Sequence, residues 1–227
     1  MNTSVIIAVV ILYEIVSIGG CALYLKMKER KNKGGQAAAG DDFSTGGQSM
    51  TWPVVGASLA LSLLGMIIDH AKAALTEKFI KELHLVLKNG TSDSRKDWFA
   101  VGEYKKLPNE VGGRDTALPE EVADKMKALL TEYNAKEKKT FEDILDFHVK
   151  FEQIHPFQDG NGRVGRLIMF KECLKYNIVP FIIEDDLKMF YYRGLKEWDN
   201  EKGYLTDTCL TAQDKYKAYL DYFRIAY

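Results

Sequence analysis

The amino-acid sequence predicts a mainly α-helical protein with one β-hairpin, preceded by a transmembrane helix. Apolar residues recur at helical spacing through most of the chain after residue 66, whereas only residues 98–113 resemble paired strands. Residues 4–25 form a near-continuous apolar run, long enough to cross a bilayer of roughly 30 Å. The hydrophobic content of 46% supports a packed core, and the net charge of −1 argues against a dedicated nucleic-acid-binding protein.

The first predicted element is a membrane anchor with a basic flank, residues 1–33. Its apolar part carries one charge, Glu14, and the basic segment KMKERKNK follows directly. This order is unlike that of a cleaved signal peptide and predicts that the carboxyl side stays in the cytoplasm. We therefore expect a single-pass membrane protein with its main domain in the cytoplasm; the alternative for this run is a buried core helix.

A Gly/Ala/Ser-rich linker, residues 34–51, precedes a second apolar run at 52–68. This run is at the lower length limit for a span, so a second crossing and a buried or interfacial helix both remain open. Residues 1–65, with DDFSTGGQSMTWPVVGASLALSLLG, resemble the beginning of a sodium:solute symporter, in which a first span, a short loop and a second span follow one another. The resemblance ends near Gly65. We therefore assign residues 52–65 as a transporter-like segment and residues 66–227 as a separate domain.

The helices of this domain are predicted from their caps and their apolar spacing. Thr76 is expected to cap the first, which ends near Gly90, and Pro119 to open the second. Thr140 and Asp143 form a capping pair at the start of the third. Further helices are predicted at about 163–176, 186–198 and 211–225. Among the three cysteines, Cys173 and Cys209 lie in apolar surroundings and are interpreted as buried free thiols in a reducing compartment.

The strand-like segment WFAVGEYKKLPNEVGG, residues 98–113, predicts a hairpin around the turn Leu107-Pro108-Asn109. Lys105 and Lys106 are expected in a solvated turn. His84 and His148, each on an apolar helix, are expected to be structural or surface residues.

The segment HPFQDGNGRVGR, residues 155–166, concentrates groups that suit phosphate chemistry. Pro156 ends a helix after His155, and a loop then leads to a helix that starts at Arg163. The backbone N–H groups of Gly160, Asn161 and Gly162 can form an anion-binding nest at that helix N-terminus.

The side chains around this nest predict a reaction class. Arg163 and Arg166 lie three residues apart and are expected to point at the same anion. Asp159 is an oxygen ligand suited to Mg²⁺, and His155 can accept a proton from a hydroxyl group near neutral pH. Together these residues predict transfer of a phosphorus-containing group from a nucleotide to an alcohol.

The same segment resembles the signature of Fic domains, His-Pro-Phe-x-(Asp/Glu)-Gly-Asn-Gly-Arg-x-x-Arg, and matches every specified position. The resemblance covers about residues 66–225 and implies a Fic-like helical bundle with a β-hairpin flap. Most Fic enzymes transfer AMP from ATP, with Mg²⁺, to a Ser, Thr or Tyr hydroxyl of a target protein. Related Doc kinases have Ala-Asn-Lys where this chain has Gly-Asn-Gly, so the resemblance favours a protein adenylyltransferase over a kinase.

The resemblance assigns roles to individual residues. His155 is implied as general base and Asp159 as Mg²⁺ ligand. Phe157 belongs to the nucleotide-binding set, although it is better interpreted as an anchor of the loop. The rest of that set holds the α-phosphate with the nest and the β- and γ-phosphates with the arginines: Gly160, Asn161, Gly162, Arg163 and Arg166. The flap that docks an extended segment of the target is assigned to Gly102, Glu103, Tyr104, Lys105, Lys106 and Leu107.

Many Fic proteins carry an inhibitory helix, (Ser/Thr)-x-x-x-Glu-(Gly/Asn), whose glutamate occupies the second motif arginine. The sequence contains no such string; the nearest, from Thr116 to Glu120, is followed by Glu121 and contains Pro119. We therefore expect Arg166 to be free unless a separate inhibitory partner supplies the glutamate.

Three other interpretations stay open. The chain could be a rearranged, non-functional fusion of a symporter fragment with a Fic domain. It could be a Fic-fold enzyme that uses another nucleotide or phosphate donor. It could also be a Fic-fold binding module without turnover.

Overall fold

The computed structural model describes residues 44–45, 48–49 and 52–227. The predicted span at 4–25, its basic flank and most of the linker lie outside the described residues. In the described part of the chain, no helix has both the length and the apolar character needed to cross a membrane.

Internal contacts divide the chain into two units, with the division between Gly65 and Met66. In the first unit, strands β1 (Ser44–Thr45) and β2 (Gln48–Ser49) pair antiparallel, with Ser44 opposite Ser49. Helix α1 spans Trp52–Asp69, so the second apolar run is helical.

The second unit is mainly helical, as predicted. Its helices are α2 (Glu77–Lys88), α3 (Pro119–Ala135), α4 (Phe141–Ile154), α5 (Asn161–Lys175), α6 (Lys188–Glu197) and α7 (Gly203–Tyr222). Strands β3 (Glu110–Val111) and β4 (Arg114–Asp115) form an antiparallel hairpin between α2 and α3. Single 3₁₀ turns occur at Asp93–Arg95 and Asp185–Leu187.

The predicted helix starts are confirmed where a cap defines them. The Thr76 hydroxyl accepts the Phe79 N–H before α2, and Pro119 is the first residue of α3. Before α4, Thr140 and Asp143 bond reciprocally. These caps satisfy backbone N–H groups that have no partner within the helix.

Three predicted boundaries are wrong, each for a physical reason. The hairpin does not turn at residues 107–109; it turns at Gly112 and Gly113, whose φ values of +57° and +73° suit a two-residue turn. Helix α5 starts at Asn161 rather than Arg163, because Gly160 already adopts the left-handed conformation of a helix-flanking residue. Helix α7 starts at Gly203 rather than near 211, since its first turns already contribute Leu205 to the core.

The core forms where α4 packs against α5 and both meet the two C-terminal helices. Its members are fully or nearly fully buried: Ile144, Leu145, Val149, Met169, Cys173, Phe181, Tyr191, Trp198, Leu205, Cys209 and Ala212. The prediction that Cys173 and Cys209 are buried free thiols is confirmed. Because the motif loop joins α4 to α5, two helices that both contribute residues to the core hold the ends of that loop.

Candidate active site

His155 is the residue that follows the last residue of α4, and its backbone turns the chain into the motif loop. Its φ of +52° is left-handed, and its N–H still bonds the carbonyl of Phe151. The ring Nδ1 lies 3.3 Å from the carbonyl oxygen of Glu152, which can only accept. Nδ1 therefore carries the proton of the neutral ring, and Nε2 is the basic nitrogen. Burial lowers the pKa of His155, which keeps the ring neutral at physiological pH.

The buried side chain of Asn161 holds the motif loop together by two hydrogen bonds to its backbone. Its side chain is 1% exposed; Oδ1 accepts the Phe157 N–H at 2.7 Å, and Nδ2 donates to the Phe157 carbonyl at 2.7 Å. Phe157 itself is fully buried and stacks on His84, with ring centroids 4.0 Å apart. The Asn161 side chain is thus engaged within the loop, and only its backbone N–H is available to an anion. Phe157 lies in the core as the loop anchor.

Gly160 is the residue at which the motif loop turns into helix α5. Its φ of +88° is in the left-handed region, and an added Cβ would lie 3.3–3.6 Å from Leu87, His84 and Lys88. The N–H groups of the first turn of α5 have no acceptor within the helix, and the helix dipole favours an anion there. Gly160 and Gly162 thus flank a helix N-terminus of the kind that binds phosphate.

Asp159 lies in a cluster of charges that the sequence only partly predicts. Its Oδ2 accepts Lys88 Nζ at 2.7 Å and Arg163 Nη2 at 3.0 Å. Burial raises the pKa of Asp159, but the hydrogen bonds from Lys88 and the Gly160 backbone outweigh it, so the net shift is downward. Asp159 is therefore a carboxylate at neutral pH, and Arg163 is held beside the nest.

The fit of a Mg²⁺ ion here depends on the substrate. Among the described residues, no three His, Cys, Asp or Glu side chains lie together as a metal site. Asp159 Oδ1 makes neither of the two cation contacts of Oδ2. Mg²⁺ commonly binds one or two carboxylates together with substrate phosphates. Asp159 thus fits an ion held mainly by phosphates, with one protein oxygen.

Arg166 lies one turn after Arg163 on α5, and its side chain lies next to a buried cluster of polar residues. Its guanidinium carbon lies 5.9 Å from the ring centroid of Tyr191, whose hydroxyl is 2.5 Å from His148 Nε2. The carboxyl of Glu152 occupies the same region. Burial raises the pKa of Glu152 to about 7, although Arg166 acts in the opposite direction. Glu152 is therefore an acid near Arg166 that comes from α4 and not from an added inhibitory helix. The expectation that Arg166 is free to bind a phosphate stays a prediction.

The predicted flap segment, residues 102–107, is irregular rather than hairpin, and it is bonded to the motif loop. The Lys105 N–H donates to the Pro156 carbonyl at 2.8 Å, and the Leu107 N–H donates to Gln158 Oε1 at 3.2 Å. Lys105, expected to be solvated, is 3% exposed, with Nζ bonded to Asn109 at 2.6 Å and Thr116 at 2.7 Å. Lys105 is buried because its ammonium bonds the side chains of Asn109 and Thr116 beside the motif loop.

His84 connects three parts of the site and confirms the expectation of a structural role. Its Nε2 faces the backbone oxygen of Asp159 at 3.1 Å, and its Nδ1 accepts the Gly102 N–H at 2.9 Å. Burial lowers its pKa to about 4, so the ring is neutral. His84 therefore fixes the flap segment and the motif loop against α2.

The structure brings His155, Asp159, Arg163, Arg166 and the Gly160–Gly162 loop together at one end of α5. Sequence reasoning did not identify Lys88, which donates to Asp159, or Glu152. Two signals could have found them: Lys88 lies four residues after His84 on one helix face, and Glu152 lies three residues before His155.

Comparisons with known proteins show which family this part of the chain resembles. Residues 74–173 match the sequence model of the Fic/DOC family. The protein adenylyltransferase Fic of Drosophila mojavensis is 28% identical over 142 residues, and that of Drosophila melanogaster is 29% identical over 146 residues. These alignments cover 59% and 63% of this chain, and the chain spans about 28% of the length of each relative.

Solved structures share the fold. A Fic domain-containing signaling protein from Bacteroides thetaiotaomicron is 27% identical with a TM-score of 0.57, over 79% of this chain and 70% of that chain. Fic-1 from C. elegans matches in fold with a TM-score of 0.58 at 16% identity, over 80% of this chain and 55% of that chain. The expectation of a Fic domain is thus confirmed for the matched residues 74–173, whereas the symporter resemblance of residues 1–65 stays a prediction.

Proposed function

We propose that this Fic domain is a protein adenylyltransferase, which transfers AMP from ATP to a hydroxyl side chain of a target protein. The observation that carries the proposal is the placement of a neutral histidine, whose Nδ1 faces the Glu152 carbonyl, beside two arginines and a helix N-terminus preceded by Gly160. The curated relatives named protein adenylyltransferase support the same reaction class.

In the proposed reaction, His155 Nε2 accepts the proton of the target hydroxyl. The hydroxyl oxygen forms a bond to the α-phosphorus of ATP, and the bond from that phosphorus to the oxygen bridging to the β-phosphate breaks. Pyrophosphate leaves with the bonding electron pair, and the target retains AMP as a phosphodiester. His155 is cationic at this stage and returns its proton to solvent or to the leaving group.

Charge and position supply the rest of the catalysis. The N–H groups of the loop and of the first turn of α5 face the α-phosphate, where negative charge accumulates. Arg163 and Arg166 hold the β- and γ-phosphates. Asp159 would hold Mg²⁺, which would neutralise part of the phosphate charge. Asp159 is orientated for this by Lys88, which donates to its Oδ2 at 2.7 Å.

The target and the location of the enzyme are further parts of the proposal. The exposed flap residues Lys106 and Leu107 lie next to the motif loop and suit contact with an extended target segment. Residues 4–25 would anchor the chain in a membrane as a single span, with the Fic domain in the cytoplasm, where ATP is available. A chain of 25.7 kDa that co-fractionates with membranes from cells would favour this arrangement over a rearranged fusion product.

The experiment is incubation of the full chain with α-labelled ATP and Mg²⁺, followed by detection of labelled protein. His155→Ala should lower label transfer by roughly 10²–10⁴-fold, because a general base is lost. His70→Ala, at the exposed end of α1, is the matched control and should transfer label as the wild type does. Near wild-type transfer by His155→Ala would contradict the proposal, and labelling by another nucleotide alone would assign a different donor.

A further inference from the structure

The carboxyl group of Glu152 lies between two residues of the candidate site, one turn before His155 on α4. Its Oε2 is 3.9 Å from His155 Nδ1, and its Oε1 is 4.0 Å from His148 Nε2. The side chain is 13% exposed, so water screens these contacts little. No part of the reaction proposed above uses this carboxyl.

Two glycines of α5 make the space that the carboxyl occupies. A Cβ on Gly165 would lie 2.7 Å from Glu152 Oε1, closer than real side-chain contacts allow. A Cβ on Gly162 would lie 3.8 Å from the same oxygen and 3.2 Å from Arg166 Nη1. Because Gly162 and Gly165 have no side chains, the carboxyl of Glu152 and the guanidinium of Arg166 fit into one slot beside the first turn of α5.

The burial of this acid is costly for folding. Among the described residues, Glu152 Oε1 is buried without a hydrogen-bond partner, as is His148 Nδ1. A buried polar group without a partner lowers stability, and such groups concentrate where function requires them. The titratable and charged groups that face this carboxyl are His148 and His155 from α4, Arg166 from α5 and Tyr191 from α6.

We infer that Glu152 is a positioning residue, whose carboxylate stabilises the protonated form of His155 and balances the charge of Arg166 beside the phosphate site. The inference rests on the proposed function for its catalytic meaning. When His155 takes the proton of the target hydroxyl, a positive charge forms 3.9 Å from this carboxylate in a largely buried slot. Attraction at that distance is stronger there than in bulk water, so the charged state of the base becomes more accessible.

The surroundings of His155 agree with this role. Burial and the nearby Lys105 both lower its pKa, whereas Asp159 raises it. Burial raises the pKa of Glu152 to about 7. The carboxyl thus titrates in the range in which such an enzyme works, and its Oε2 lies 3.9 Å from His155 Nδ1. Removal of that charge should lower the pKa of His155 further.

The direct test is a titration of the full chain labelled with ¹⁵N-histidine, with the His155 signals assigned by their loss in His155→Ala. In the wild type, the ring nitrogen shifts of His155 should show an inflection near pH 7, where Glu152 ionises. In Glu152→Gln this inflection should vanish, and the protonation midpoint of His155 should move to lower pH. Glu142→Gln removes one exposed charge from the same helix and should leave the wild-type curve unchanged.

Superimposed His155 curves for the wild type and Glu152→Gln would overturn the inference. Should Glu152→Gln fail to fold, the wild-type curve decides: the inflection supports the coupling, and its absence refutes it. These results do not need AMP transfer, so they are separable from a failure of the proposed function.

If the chain does transfer AMP, kinetics add an independent readout. Glu152→Gln should lower kcat by about tenfold or more and shift the acidic limb of the pH profile to lower pH. Glu152→Asp, which keeps the charge, should recover part of the loss. A Glu152→Gln enzyme with the wild-type pH profile would refute the positioning role even if its activity were reduced.

Discussion

Substitution of Asn161 should test whether the motif loop is held by the side-chain bonds seen in the structure. Asn161→Ala removes two hydrogen bonds of 2.7 Å to the backbone of Phe157. The Phe157 carbonyl keeps a second donor, Asn109 Nδ2 at 3.0 Å, whereas its N–H is left buried without this acceptor. The lost bond to the carbonyl is worth about 0.5–1.5 kcal/mol, and the orphaned N–H costs about 1–3 kcal/mol, which already includes its own lost bond. We expect a loss of roughly 2–4 kcal/mol in the free energy of unfolding.

The assay is thermal unfolding of the full chain followed by tryptophan fluorescence. Trp198 is 3% exposed in the core of the second unit and reports on that unit. For a protein of this size each kcal/mol lowers Tm by about 2–4 °C, so Asn161→Ala should melt about 5–15 °C below the wild type. The control is Asn200→Ala at an exposed position, where the change should stay within about 0.5 kcal/mol.

A second substitution at this position separates the two bonds. Asn161→Asp keeps the acceptor for the Phe157 N–H but places a carboxylate oxygen against the Phe157 carbonyl. Burial and that carbonyl should raise the pKa of the new carboxyl in the folded state above its unfolded value of about 3.9. The variant is therefore destabilised most above the folded-state pKa, and its deficit should shrink as pH falls from 7 towards 4. An Asn161→Ala melt within 1 °C of the wild type, or a pH-independent deficit for Asn161→Asp, would refute the reasoning.

Three further predictions concern charge and topology. Arg166→Ala should weaken productive use of ATP by roughly ten- to a hundred-fold, since a charge-assisted contact with the γ-phosphate is worth about 1.5–3 kcal/mol; unchanged ATP kinetics would exclude this contact. Lys88→Met should lower the free energy of unfolding by about 1–3 kcal/mol, because a buried ammonium that pairs with Asp159 and Asp93 is lost. Lys96→Met, at an exposed partner of Asp93, should change that free energy by less than about 0.5 kcal/mol. Equal melting temperatures of the two variants would contradict this prediction. A cysteine at the exposed position Asp207 should resist membrane-impermeant thiol reagents in intact cells, and ready labelling there would place the domain outside the cytoplasm.

Much of the site was predictable because its motif is continuous in sequence. His155, Asp159, Arg163 and Arg166 fall within twelve residues, so the end of one helix and the start of the next bring them together. The helix caps were predictable for the same reason, since Thr76 and Thr140 act on residues three positions away.

Predictions about the flap segment failed because its partners are distant in sequence. Lys105 looks like part of a solvated pair, yet its ammonium is buried against Asn109 and Thr116, and its N–H bonds Pro156. The hairpin was placed at a proline-containing turn, but the residues there are used to bond the motif loop. Two glycines a few positions later accept the positive φ values of the turn.

The sequence by itself determined the helical class of the domain, the loop that contains His155 and Asp159, and the helix that carries Arg163 and Arg166. Tertiary structure alone decided what surrounds these groups. Lys88 reaches Asp159 from a position 71 residues earlier in the chain. Glu152 and Arg166 share one slot only because Gly162 and Gly165 have no side chains. Local sequence fixes the backbone conformation within a few residues. The burial and pairing of charged side chains depend instead on which helices pack together, and this packing decides whether each acid and base is charged.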